Sequence, residues 1–157
     1  MRPTRSQVSI VSKTFPCSAC FDDLEHERRY SPLRAYADAT LLNVLFTLGL
    51  QARHGDTGIR PVAFDPGNVA TNFASETSSR ISRLMYRTPL RRLALISPER
   101  GGSHLAFFAD GTPGTTWQPG RLHARTKPAT RCQTNPQMHD GELVEAVWNR
   151  SAAMVGL

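Results

Sequence analysis

The sequence lacks a long uninterrupted apolar stretch. Its longest apolar run, LLNVLFTLGL, extends from Leu41 to Leu50 and includes Asn43. A helix that crosses a bilayer needs about 20 consecutive apolar residues, so this run is too short to span a membrane. The N-terminal sequence MRPTRSQVSIVSK also has too short an apolar run for a signal peptide. These two features predict a soluble, cytoplasmic protein.

Cysteine is scarce as well. The chain has three cysteines, Cys17, Cys20 and Cys132, and an odd number in a cytoplasmic protein does not predict a disulfide framework. Cys17 and Cys20 form a C-x-x-C pair that could bind zinc together with Cys132 and His139. A convincing zinc pattern would add a second C-x-x-C pair or an H-x-x-x-H, and neither occurs in the sequence. We therefore predict no metal site.

Acidic residues are fewer than basic ones. The chain has 13 Asp and Glu against 19 Lys and Arg, which gives a net charge of +6 and a pI of about 9.9. This charge permits nucleic-acid binding, but no recognition motif accompanies it, so a nucleic-acid-binding module is the weaker alternative. Hydrophobic residues make up 39% of the chain and charged residues 20%. Such an ordinary composition argues against wholesale disorder and for one domain with a modest core.

The order of the apolar patterns predicts an α/β fold. QVSIV at 7–11 and IRPVAF at 59–64 are short and rich in apolar or β-branched residues, as expected of buried strands. Between them, a wide apolar stripe predicts a helix over 33–53 that begins at Ser31-Pro32. A strand–helix–strand order implies a parallel sheet with a right-handed crossover. At most three strands are visible, so the sheet is small.

The first predicted helix should end at Gly55, a natural residue for a helix C-terminus. Its expected apolar face consists of Leu41, Val44, Leu45, Leu48 and Ala52. The sequence DPGN at 65–68 then predicts a turn, because proline fixes φ and glycine frees it.

A second helix is predicted over 97–110, where Ser97 caps the N-terminus and Pro98 takes the first helical position. Residues 111–138 are rich in Pro, Gly and Thr and predict an irregular segment, with a short extended piece near Arg121–Ala124. A final helix is predicted over 141–155. Its expected core residues are Leu143, Val147 and Met154.

Four blocks of sequence occur in a recognisable order: FDDLEHERRYSPLRAYADATLLNVLF, GIRPVAFDPGNVATNF, SPERGGSHLAFFAD and VWNRSAAMVGL. Together they resemble the short-chain dehydrogenase/reductase family, and in particular its retinol-dehydrogenase-like branch. The resemblance corresponds to the C-terminal half of the family's members. It implies one partial Rossmann-like domain over 1–157, with about three parallel strands and flanking helices. It also implies NAD or NADP as the cofactor and a small-molecule alcohol or carbonyl substrate.

Family members carry a glycine-rich turn that sets the cofactor pyrophosphate on a helix N-terminus. No G-x-x-x-G-x-G pattern occurs in this sequence. We therefore expect a truncated member of the family, in which binding of a dinucleotide is doubtful.

The family transfers a hydride with a Tyr that relays a proton, a Lys four positions later, and a Ser that positions the substrate oxygen. Tyr36 occupies the tyrosine position, Ala39 replaces a small serine, and Thr40 occupies the lysine position. Positions i and i+4 share a helix face, where an ammonium would stabilise a phenolate. Threonine carries no charge, so the resemblance implies a degenerate site with impaired or no catalysis. Ser12 matches the serine if a gap falls in the following loop, and Lys13 takes that position if it does not.

The turn after the second strand corresponds to the turn that lines the nicotinamide in the family. The matching residues are Pro66, Gly67, Val69 and Thr71. Asp65, just before them, places a carboxylate near a cofactor that carries negative phosphates. The arginine-rich stretch 80–92 falls where the family has its variable substrate lid, although a solvated surface or a contact with anionic lipid or a partner helix would also explain it.

The resemblance also bears on assembly. Helix 33–53 corresponds to the helix that builds the common dimer interface of the family. Strand 7–11 would have one bare edge, because its usual neighbour is absent from this sequence, and bare edges invite pairing. Two main hypotheses follow: a degenerate NAD(P)-dependent oxidoreductase, or a non-catalytic partner of a full-length relative in a homo- or hetero-oligomer through helix 33–53.

Overall fold

The computed structural model describes residues 5–10, 23–24, 26–69 and 96–157, with 5–10 described as backbone. Several predicted features therefore lie outside the described residues. These are Ser12, Lys13, Cys17, Cys20, Thr71 and the arginine-rich stretch 80–92.

The sheet has the strand order β1-β2-β3-β4. The strands are β1 (Arg5–Ile10), β2 (Ile59–Asp65), β3 (Leu122–Ala124) and β4 (Lys127–Pro128). The first three run parallel, as predicted, and β4 pairs antiparallel with β3. The sheet is thus mixed, because a tight turn reverses the chain after β3. The predicted α/β class with a small sheet and flanking helices is confirmed, although the first strand begins earlier than the range 7–11.

Helix α1 (Pro32–His54) joins β1 to β2. It begins as predicted, with Ser31 at the N-cap and Pro32 in the first turn. It also ends at Gly55 as predicted, and Gly55 keeps a helical φ of −55°. The chain tightens into a 3₁₀ turn over Gly55–Thr57, and Gly58 takes the left-handed φ of +93° before β2 begins. Ala52, expected on the apolar face, is exposed.

Helices α2 (Pro98–Asp110) and α3 (Gly141–Met154) complete the fold. The Ser97 side chain accepts a hydrogen bond from the Arg100 N–H at 3.3 Å, as its capping role predicts. Helix α3 packs on α1, where the Trp148 ring stacks on Phe46 with centroids 5.3 Å apart. Met154 was expected in the core, but it is 57% exposed in the last turn of α3. No helix within the described ranges is long and apolar enough to cross a membrane.

The core lies on both faces of β2. Successive side chains of a strand point to opposite faces of the sheet. Ala63 belongs to the cluster with Leu41, Val44, Leu45, Leu122, Met138 and Val147. Val62 and Phe64 belong to the other cluster, with Phe108 and Trp117. Helices α1 and α3 therefore cover one face of the sheet and α2 covers the other, which explains the uninterrupted apolar sequence of β2.

Candidate functional site

The first turns of α1 carry Tyr36 and Thr40, the residues at the predicted tyrosine and lysine positions. Tyr36 is 36% exposed, whereas Thr40 is buried at 6%. The Thr40 hydroxyl donates a hydrogen bond to the Ala37 carbonyl oxygen at 2.8 Å. Its polar atom is therefore used within its own helix, and position 40 supplies no positive charge to its surroundings.

A buried carboxylate lies between these two residues along the helix. Asp38 is 4% exposed. Its Oδ2 atom lies 3.5 Å from Nε2 of His26 and 3.8 Å from Nε of Arg34. Its Oδ1 atom has no hydrogen-bond partner among the described residues. Sequence reasoning gave His26 no role and missed this contact, although an acidic residue within an apolar helical run was the available signal.

The turn after β2 is built by a side-chain hydrogen bond and one glycine. Oδ1 of Asp65 accepts from the Gly67 N–H at 2.8 Å. Gly67 adopts a φ of +88°, a left-handed conformation that favours glycine. The Ile96 N–H donates to the Asn68 carbonyl at 2.8 Å, which fixes the far side of the turn. The carboxylate that was expected to face a cofactor therefore holds the turn together.

The topology relates this turn to Tyr36. The short connection over 55–58 places the end of α1 beside the start of β2. The N-terminal turns of α1 therefore lie toward the opposite end of the sheet, where Pro66 and Gly67 follow β2. Val69 instead packs on α2, since a Cβ added to Gly101 would lie 3.0 Å from a Val69 methyl group.

His123 is a buried titratable group that sequence reasoning left without a role. It is 1% exposed, and its ring meets Phe108 edge to face at 5.2 Å. Nδ1 lies 3.3 Å from the Arg121 carbonyl, and Nε2 has no partner within the part of the chain that the structure describes. Burial lowers the pKa of His123 below its usual range because the charged imidazolium would lose its hydration.

The predicted absence of a metal site stays a prediction. Cys132 is a free, exposed cysteine. No group of three or more His, Cys, Asp or Glu that could hold a metal occurs within the described ranges. Cys17 and Cys20 are not among those residues.

Comparison with known proteins finds relatives among the dehydrogenases. No protein-family profile matches the chain. Human retinol dehydrogenase 12 is 29% identical over 139 residues, which cover 87% of this chain and 41% of that protein. Human retinol dehydrogenase 13 is 28% identical over 140 residues, with the same coverage. Human dehydrogenase/reductase SDR family member 13 is 28% identical over 156 residues, 97% of this chain and 40% of that protein.

A solved structure of an uncharacterized protein from Mycobacterium paratuberculosis has a similar fold. Its TM-score is 0.56 at 25% identity, over 95% of this chain and 49% of that one. The chain is thus related to the short-chain dehydrogenases/reductases, on the retinol-dehydrogenase-like side, as the sequence blocks predicted. It spans about two fifths of the length of the curated relatives that it matches.

Proposed function

We propose that this chain is a degenerate relative of the NAD(P)-dependent alcohol and carbonyl oxidoreductases, with impaired or no hydride transfer of its own. The observation that carries this proposal is the burial and the hydrogen bonding of Thr40. This residue stands at the lysine position of the family resemblance, is buried, and donates its hydroxyl to the Ala37 carbonyl. It offers neither a charge nor a free donor to Tyr36 or to a bound ligand.

The chemical consequence follows from the ordinary acidity of a phenol. An unperturbed tyrosine has a pKa of about 10, and a cation a few ångströms away stabilises the phenolate and brings such a group toward neutral pH. Proton transfer by a positioned group of this kind contributes about 10² to 10⁴-fold to a rate. Without a cation at position 40, that contribution is expected to be lost.

The residues present do not fit a whole dinucleotide. Pro66 and Gly67 retain the turn that lines the nicotinamide in the family, but the Asp65 carboxylate beside them is already bonded to the Gly67 N–H. The lysine that would hold the nicotinamide ribose is replaced by Thr40. Thr71 and Ser12 are the proposed remnants of the cofactor and substrate sites.

Cofactor binding tests the proposal. The purified protein is titrated with NADH and with NADPH while the fluorescence of the nicotinamide is followed. We expect no saturable change at micromolar concentrations. Saturable binding that is lost in a Gly67→Val variant, with folding checked by circular dichroism, would contradict the proposal.

A chimera tests the role of position 40 separately. The N-terminal half of an active relative is joined to this chain, and turnover of an alcohol is measured with threonine or lysine at position 40. Thr40→Lys is expected to raise turnover by about 10² to 10⁴-fold. Equal turnover in the two chimeras would show that threonine at position 40 is not the cause of the lost catalysis.

A second candidate function is a non-catalytic partner of a full-length relative. It is supported by exposed apolar residues along α1, namely Leu33 at 63%, Tyr36 at 36% and Phe46 at 37%. Strand β1 also stands at the edge of the sheet among the described strands. Sedimentation equilibrium of the protein alone and mixed with a relative tests this function. A Leu33→Glu variant should dissociate any complex, while exclusively monomeric protein in both samples would exclude it.

A further inference from the structure

A cavity of about 660 Å³ lies where the parallel strands β2 and β3 end. Asp65 and Gly67 contribute one wall, and the turn between β3 and β4 contributes another. Arg100 and His104, one turn apart on α2, face the same cavity. Cavities of this size suit small-molecule ligands, and the carboxyl ends of parallel strands are where open α/β sheets bind them.

The lining of the cavity is basic. Arg100, Arg125 and Lys127 all contribute to it, and none of them forms an ion pair within 4.0 Å among the described residues. Asp65 is the one carboxylate among the described lining residues. Without counting His104, three positive charges less one negative charge leave the lining at +2.

Segment 70–95, which lies between two of the described ranges, is itself basic in composition. It contains one acidic residue, Glu76, and five arginines.

Arg125, which lines the cavity, has an unfavourable backbone conformation. Its φ is +58°, which is uncommon and unfavourable for a residue other than glycine. Its N–H donates to the Asp65 carbonyl at 2.7 Å, which fixes the turn against the end of β2. Its Nε atom lies 3.7 Å from where a Cβ of Gly67 would be. Strain of this kind concentrates at ligand-binding sites.

His104 adds an unused polar atom to the same cavity. Its Nδ1 atom is buried and has no hydrogen-bond partner among the described residues.

We propose that this cavity binds a small phosphomonoester, whose dianion is held by Arg100, Arg125 and Lys127 while His104 contacts the organic part. A phosphomonoester carries about −1.5 to −2 charges at pH 7, which matches the lining. Guanidinium groups bind phosphate oxygens in pairs with charge-assisted hydrogen bonds. The inference goes beyond the proposed function and requires no hydride transfer.

The test uses the whole chain and phenyl phosphate as the probe, with isothermal titration calorimetry at constant ionic strength. Saturable binding is expected below about 10 mM. Arg125→Asn keeps a residue that tolerates positive φ, and Lys127→Gln removes the second charge. Each variant should weaken binding by about tenfold, the loss expected for a charged hydrogen bond. Arg150→Gln removes one positive charge from an exposed position of α3 that does not line the cavity, and it should leave binding unchanged.

Inorganic phosphate and succinate complete the experiment. Inorganic phosphate should bind more weakly than phenyl phosphate, because it leaves the His104 side of the cavity empty, and succinate should bind more weakly than both. Three results would overturn the proposal: no saturable binding of phenyl phosphate, equal weakening by Arg150→Gln, or tighter binding of succinate. Binding of NADH is not involved, so this outcome is independent of the proposed function.

Discussion

The Thr40 hydroxyl donates to the Ala37 carbonyl oxygen at 2.8 Å, one turn back on the same helix. Thr40 is also 6% exposed, so its site has been adapted to a small, uncharged side chain. We expect Thr40→Lys in this chain to lower the free energy of unfolding by about 2 to 4 kcal/mol, because an ammonium would lose its hydration there. Urea unfolding followed by circular dichroism measures the change.

The matched control is Thr40→Val, which keeps the shape and removes the hydroxyl. It should cost less than about 1.5 kcal/mol, the usual contribution of one hydrogen bond. A Thr40→Lys protein as stable as the wild type would show that position 40 of this chain accommodates a cation without the expected cost in stability.

Asp38 and His26 form the next testable contact. Their atoms Oδ2 and Nε2 are 3.5 Å apart, and both side chains are at least nine-tenths buried. Removing His26 would deprive a buried carboxylate of a partner, whereas the same change should matter little once Asp38 is uncharged. A double-mutant cycle of His26→Ala and Asp38→Asn is expected to give a coupling energy of about 1 kcal/mol. Additive effects of the two substitutions would show that the contact does not contribute to the free energy of unfolding.

His123 predicts a dependence of stability on pH. Its pKa is lowered in the folded protein by burial, so the unfolded chain binds the proton more tightly. Its contribution to stability is fully present above the unfolded pKa of about 6.5 and is lost as the pH falls below that value. The free energy of unfolding should therefore decrease from neutral pH toward about pH 5.

His123→Leu should flatten this slope, and His139→Gln, which removes an exposed histidine instead, is the matched control. Urea unfolding at a series of pH values measures both variants. Slopes that are equal in wild type and His123→Leu would assign the pH dependence to other groups.

Local sequence signals predicted the elements of this fold well. Ser97 and Pro98 marked the start of α2, and Ser31 and Pro32 marked the start of α1. The apolar run of β2 predicted that this strand is buried. These features depend on residues within one or two turns of each other.

Features that depend on distant residues could not be predicted. Gly58 rather than Gly55 takes the left-handed conformation after α1, because a 3₁₀ turn separates the helix from β2. Ala52 and Met154 have apolar side chains on predicted faces, yet both are exposed among the residues that the structure describes. The Asp38 to His26 contact joins separate parts of the chain, and so does the cavity that both Arg100 and Arg125 line. Spacing in the sequence therefore carries no signal for either.

Turnover by the unmodified protein tests the central claim most directly. The purified chain is incubated with NADH or NADPH and a panel of aldehydes, and with the oxidised cofactors and the corresponding alcohols, while nicotinamide absorbance is recorded. The account predicts rates equal to those without protein. A protein-dependent rate that disappears in the Tyr36→Phe variant would contradict it.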